Sequence, residues 1–236
     1  MTSSVMPVSS EKRVAGRVGC ALCVLTVLLP VLASAAFNPQ QELVDEAGAT
    51  VEAFTTDAGM KEALRELGSE VRAVFILPDF FRWGFLVGGA SGKGLLIVRD
   101  EQTGLWSQPV FYNVASMNIG AQVGADVSEI IVVVRSKKGV EEFYGAGFKL
   151  GAGAGLAVGP TGTGTSAHGL NADMLAYARK KGVFGGVALG GALITVAENA
   201  NDAYYGKPVT PREIIEGSVS NLRSLELRNA TRKLFE

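Results

Sequence analysis

Three groups of residues in this 236-residue chain have types and spacings that could do chemistry. The first is Gly89-Ala90-Ser91-Gly92-Lys93-Gly94, which has the outline of a loop whose backbone N–H groups cradle phosphates. Such a loop needs a glycine five residues before its Gly-Lys pair and a hydroxyl residue after it. Val87 and Gly94 stand at those positions, so the segment reads as a hairpin turn. The glycines from Gly145 to Gly164 likewise lack the order of a dinucleotide site. The second group is Ser166, His168 and Asp173, the types of a hydrolytic triad. Triads are assembled by geometry rather than by nearness in sequence, and no nucleophile elbow is present, so His168 reads as an ordinary loop residue. It is the one histidine of the chain, and both cysteines, Cys20 and Cys23, fall in the leading segment. No metal-ligating set can be drawn from the rest. The chain is expected to be neither an enzyme nor the holder of a cofactor.

The third group suits a lipid surface. Phe75, Phe80, Phe81, Trp83 and Phe85 crowd around Pro78-Asp79, with Arg82 among them. Aromatic rings beside a cation fit the depth of lipid headgroups. Arg135, Lys137 and Lys138 form one basic cluster, and Arg179, Lys180 and Lys181 another. Joined by the fold, they offer a phosphate-binding patch worth about 1 kcal/mol per charge. The candidate lipid-contacting set is therefore Phe80, Phe81, Arg82, Trp83, Arg135, Lys137, Lys138, Arg179, Lys180 and Lys181. The plainer alternatives are rings that staple helices to a sheet and lysines on solvated turns.

The elements that must position these residues follow from periodicity. Apolar residues at spacings of three and four over Gln41–Leu67 predict a helix pair on a core, broken and capped at Thr55-Thr56-Asp57. From Val71 to Val196 the pattern becomes that of strands: Val71–Leu77, Gly84–Gly89, Gly94–Arg99, Trp106–Tyr112, Ser116–Asp126, Glu129–Ser136, Phe148–Val158 and Val183–Val196. Turns are expected at Pro78-Asp79 and at Ser91-Gly92-Lys93, and short helices over Lys138–Tyr144 and Ala172–Lys181. Of the 30 glycines, 23 lie between Gly84 and Gly191. Those from Gly145 to Gly159 share one parity, which implies a strand with one bare side and close backbone packing. Thr210-Pro211-Arg212-Glu213 is a capping box that opens a C-terminal helix over 211–235. The fold class is α+β: a strongly curved, mainly antiparallel, glycine-rich β-sheet or small barrel, packed by N-terminal and C-terminal helices.

The first 35 residues have the form of a secretory signal peptide. Lys12, Arg13 and Arg17 precede an apolar run from Val18 to Leu32, and Ala33-Ser34-Ala35 supplies the small-residue site, with cleavage expected before Ala36. Retention as an uncleaved anchor is the alternative. Removing Lys12, Arg13, Arg17 and Glu11 takes 22 basic and 23 acidic residues to 19 and 22, a net charge of −3. That balance argues against nucleic acid as a partner and confines electrostatic binding to local patches. Residues 36–236 read as a single domain. The expected location is the periplasm or cell envelope.

GFLVGGASGKGLLIVRD, WSQPVFYNVASMNIGAQVGAD, IIVVVRSKKGVEEF, LGAGAGLAVGPTGTGT, YARKKGVFGGVALGGALI and YYGKPVTPREII run in this order through the chain. Together they resemble the SYLF domain family over about residues 43–215. The resemblance implies a lipid-binding module without catalytic activity. Eukaryotic members bind phosphoinositides, some yeast members bind and bundle actin, and bacterial relatives are typically exported to the envelope. Export argues against actin as a partner here and for another anionic phospholipid in place of a phosphoinositide. The family supplies no headgroup motif that transfers to these residues. The alternative function is a structural one, as a protein-binding envelope scaffold or an outer-membrane barrel.

Overall fold

The computed structural model describes residues 38–85, 87–119, 124–159, 171–180, 183–185 and 189–235. The expected signal peptide, Ser166, His168 and Lys181 lie outside them. Residues 38–236 form one compact unit.

The N-terminal helix pair forms where the sequence places it. Asn38 accepts hydrogen bonds from the Gln40 and Gln41 N–H groups at 3.1 and 3.0 Å, and Pro39 stands at the first helical position of α1 (Pro39–Thr56). Asp57 ends that helix and caps α2 (Ala58–Leu67) by accepting from the Met60 N–H at 2.8 Å.

The sheet is built from β1 (Ala73–Phe85), β2 (Val87–Val98), β3 (Val110–Ile119), β4 (Gly124–Val134), β5 (Gly147–Lys149), β6 (Leu156–Val158), β7 (Met174–Lys180), β8 (Val183–Gly185) and β9 (Leu193–Val196). Their order is β5-β9-β3-β2-β1-β4-β7-β6, with β8 also paired to β7. Every pairing is antiparallel except β6 with β7. The central order β3-β2-β1-β4 is that of a Greek key. Ile130–Val134, a continuous β-branched run, lies fully buried in β4 between β1 and β7. Among the described residues the strand path is open, ending at β5 and β6.

Each face of the sheet has its own cover. On one, Phe75, Leu96, Tyr112, Val132 and Met174 pack with Val140 of α3 (Lys137–Glu142), with Phe143 at its C-cap and with Ile214 of α5 (Pro211–Ile215). On the other, Val74, Ile76, Leu95, Ile131 and Leu175 meet Val44, Val51, Phe54 and Leu64 of α1 and α2. Leu227 and Leu234 of α6 (Leu225–Phe235) complete that cluster. A fourth helix, α4 (Glu198–Tyr205), places Asn201 against β3. Its side chain accepts from the Phe111 N–H at 2.9 Å and donates to the Phe111 carbonyl at 3.2 Å.

Several expected boundaries move. Pro78-Asp79 is not a turn but a bulge inside β1, where the pairing slips by one residue against both β2 and β4. Proline has no N–H for the ladder, which the bulge accommodates, while neighbours on both sides keep the strand going. Ser91-Gly92-Lys93 lies in mid-strand in β2. A Cβ on the nearby Gly94 would stand 2.6 Å from Cζ of the buried Phe75 ring, so that glycine gives clearance rather than a turn. Ser116–Asp126 divides between the end of β3 and the start of β4.

Phe148–Val158 divides into β5 and β6, with Gly151 at φ +82° between them, so the glycine parity does not belong to one strand. Val183–Val196 divides into β8 and β9. Ala172–Lys181 contributes β7 rather than a helix, with Met174–Arg179 paired antiparallel to β4. The capping box at Thr210 and Glu213 forms, yet α5 stops at Ile215 and Gly217 follows at φ +83°. The C-terminal 211–235 segment is thus two helices joined by a 3-10 turn over Leu222–Ser224, with Leu222 and Leu225 exposed.

Candidate functional site

The helices cover only one end of the sheet on the α1/α6 side. Among the described residues, the strands run on uncovered on that side beyond Leu95 and Ile131, toward the end where Gly84 pairs with Gly88 and with Gly124. The sequence is uncharged from Trp83 to Ser91 and from Val114 to Ala125. This end of the sheet therefore carries no charge at its tip.

Above the tip the side chains divide by face. Trp83, Gly89, Met117 and Ala125 share one row of the ladder, about 3 Å from the Gly84 level. Phe81, Ser91, Ala115, Leu193 and Val127 occupy the row about 10 Å from it. Met117 is 88% exposed, Trp83 47%, Val127 47%, Leu193 44% and Phe81 42%. The Phe81 and Trp83 rings stack at 5.7 Å between centroids. Five large apolar side chains from four strands thus form one solvent-facing surface, larger in kind than scattered exposed residues. Lys149 pairs with Leu193 at its margin, and Lys93 lies one row further in. Neither makes an ion pair among the described residues.

On the opposite face of the same strands Phe80 turns into the core at 2% exposure. Arg82 and Asp126 face one another across β1 and β4, with Arg82 Nε 3.1 Å and a terminal guanidinium nitrogen 3.4 Å from the carboxylate. Lys180 of β7 donates to the same carboxylate at 2.5 Å. Burial pushes the Asp126 carboxyl up, but the hydrogen bonds and charges of Lys180 and Arg82 outweigh it and hold it below the usual range. Arg179 pairs with Glu129 on the apolar side.

The ten residues picked from sequence separate accordingly. Phe81, Arg82, Trp83, Arg179 and Lys180 gather at the bare end, and Phe80 is beside them but buried. Lys181 lies outside the described residues. Arg135, Lys137 and Lys138 do not join them. Arg135 follows Val134 at the far end of β4, six residues or about 20 Å from the Glu129–Arg179 pair. There Arg135 binds Glu70 at 2.5 Å, and Lys137 sits 3.6 Å from Glu101, which also pairs with Arg72. Asp173 accepts from the Gly155 N–H at 2.7 Å. Its carboxyl is held below the usual range by the Ser136 hydroxyl first and by that N–H second. It ties a turn to a strand end. Met117, Val127, Leu193, Lys93 and Lys149 were missed by sequence reasoning. For Met117 the signal was the long uncharged stretch around it, which the strand pattern alone could not bring beside Trp83; the other four become neighbours only through the register.

Among the described residues no helix is long and apolar enough to cross a membrane, and no group of three or more His, Cys, Asp or Glu side chains is placed to hold a metal ion.

Comparison with known proteins gives the lineage. A fission-yeast (Schizosaccharomyces pombe) SH3 domain-containing protein is 33% identical over 152 residues, covering 61% of this chain and 35% of its own. Protein YSC84 of Saccharomyces cerevisiae is 31% identical over 143 residues, or 58% of this chain and 30% of its own. Human SH3 domain-containing YSC84-like protein 1 is 30% identical over 138 residues, or 57% and 40%. The chain thus spans about a third of the length of the curated relatives it matches. The sequence model described as Ysc84, Las17-binding protein actin regulator, matches residues 115–236, more than half of the chain. This protein belongs to the Ysc84 family of SYLF domains.

Proposed function

We propose that the protein is a non-enzymatic binder of anionic phospholipid that docks on a membrane surface by the bare end of its sheet. One observation carries the reading: an uncharged tip and an exposed Trp83–Phe81–Met117 surface lie within about 10 Å of the sheet end, which is the depth an interfacial element enters a bilayer. The Trp83 level lies about 3 Å from the tip, the Arg82 level about 7 Å, the Phe81 level about 10 Å and the Arg179 level about 17 Å, so Trp83 enters deepest and Arg82 and Phe81 follow at headgroup height. Peripheral docking suits a sheet whose inner end is covered by helices on both faces; a spanning barrel requires a closed sheet with a continuous apolar belt. Following the expected export, the surface engaged is a membrane of the cell envelope, and the SH3 domains named in the yeast and human relatives concern those proteins.

Vesicle flotation of the mature protein tests the reading. Binding is expected to rise with the anionic lipid fraction and fall with salt. Trp83→Ser with Met117→Ser is expected to lower the partition coefficient by at least about tenfold, from the apolar area withdrawn. Unchanged flotation of that variant, at unchanged thermal stability, would overturn it.

A further inference from the structure

We infer that Asp126 is a built-in competitor for the lipid phosphate, so that the docking surface opens only to membranes of high anionic density. The inference rests on the lipid-binding reading above and concerns the regulation of the same surface.

The Asp126 carboxylate sits between a guanidinium and an ammonium, taking 3.1 and 3.4 Å contacts from Arg82 and a 2.5 Å contact from Lys180. A guanidinium fork beside a lysine is also the arrangement that recognises a phosphate, because carboxylate and phosphate present similar oxygen geometry to the same donors. The Asp126 carboxylate thus occupies the place that a phosphodiester would take. The three side chains are open enough for exchange, at 28% exposure for Arg82, 22% for Asp126 and 47% for Lys180. Their level, about 7 Å from the Gly84 tip, is where headgroup phosphates stand when the tip has entered the interface. Both cations belong to this one carboxylate, whereas Arg179 has a separate partner in Glu129. Docking therefore exchanges one anion for another. A sparse anionic surface does not displace the tethered carboxylate, and a dense one does.

Asp126→Asn removes the competitor and keeps the shape. On phosphatidylcholine vesicles carrying a low fraction of phosphatidylserine, D126N is expected to partition at least about fivefold more than wild type, the effect of about one charge at the surface. Glu62→Gln makes the same charge change on the exposed side of α2, remote from the tip, and is expected to change partition by less than about twofold. Adding Arg82→Gln and Lys180→Gln to D126N is expected to abolish the gain. Equal gains in D126N and E62Q, or a gain that survives in the triple variant, overturn the competitor role. If wild type floats and D126N floats identically, the lipid reading stands and this inference falls. If neither floats on any anionic mixture, both fall. Circular dichroism and the melting temperature of each variant separate binding losses from unfolding.

Discussion

Trp83 lies flat over Gly89, so close that a Cβ on that glycine would stand 2.6 Å from Cζ2 of the indole. The same distance separates an added Cβ on Gly94 from Cζ of Phe75. The two clearances are equal and their consequences are not. Trp83 is half exposed and can swing into solvent, whereas Phe75 is fully buried between Tyr112 and Phe143. Gly94→Ala is expected to cost about 1–3 kcal/mol in urea unfolding through overpacking. Gly89→Ala is expected to cost well under about 1 kcal/mol while changing the fluorescence of Trp83, read in a Trp106→Phe background.

The far basic cluster provides a second comparison. Lys137 and Lys138 follow Val134 at the opposite end of β4 from the bare tip, and Val134 lies ten residues or about 33 Å along the strand from Gly124, well over a Debye length. Lys137→Gln with Lys138→Gln is expected to change vesicle partition by less than about twofold. Lys93→Gln with Lys149→Gln, which removes the two cations bordering the apolar surface, is expected to lower it by about tenfold or more. Flotation of the two double variants side by side reads the difference, and a reversed ranking assigns the headgroup contacts to the other end.

Asn201 holds the inner end of the sheet. It is fully buried and supplies the acceptor for the Phe111 N–H, while the Phe111 carbonyl also receives the Ala197 N–H at 3.0 Å. Asn201→Ala leaves that buried N–H without its partner, at an expected cost of about 2–3 kcal/mol in chemical denaturation. Vesicle binding of the folded fraction is expected to be unchanged, since the site lies at the other end.

Acid weakens the Asp126 contacts. Its folded pKa lies below the ordinary carboxylate value, so the stabilisation is fully present above about pH 4 and disappears as pH falls through the lower folded value. The melting temperature of wild type is expected to exceed that of D126N at neutral pH, with the gap closing below about pH 4. A gap independent of pH over that range removes the electrostatic account of the pair.

The N-terminal helix pair and the start of α5 were legible because their signals are local, while α4 and the break between α5 and α6 were not read. Asn38, Asp57 and Thr210 are caps whose partners lie two or three residues away, and the apolar period of α1 survives any tertiary context. The strand ends were not, because composition is ambiguous there. Pro78-Asp79 and Ser91-Gly92-Lys93 have the residues of turns, and only the strands pairing on both sides of β1 and β2 make them a bulge and a mid-strand segment. The site was legible in part. Phe81, Arg82 and Trp83 stand out as a cluster, but Met117, Val127 and Leu193 become their neighbours through the register of five strands, which no single stretch of sequence displays.

The bulge at Pro78-Asp79 acts on β1 as an inserted base acts on a reading frame. Upstream, odd-numbered residues such as Phe75 and Leu77 point to the α3/α5 side; downstream, the even-numbered Phe80 and Arg82 do. An unbroken alternation over the same residues, without the bulge, would send Phe81 and Trp83 into the core and Phe80 out to solvent. The bulge thus decides whether the strand's aromatics are filling or surface. A family member lacking the extra residue would be expected to keep the same alternation of apolar and charged residues from that point to the tip, on a strand without the bulge.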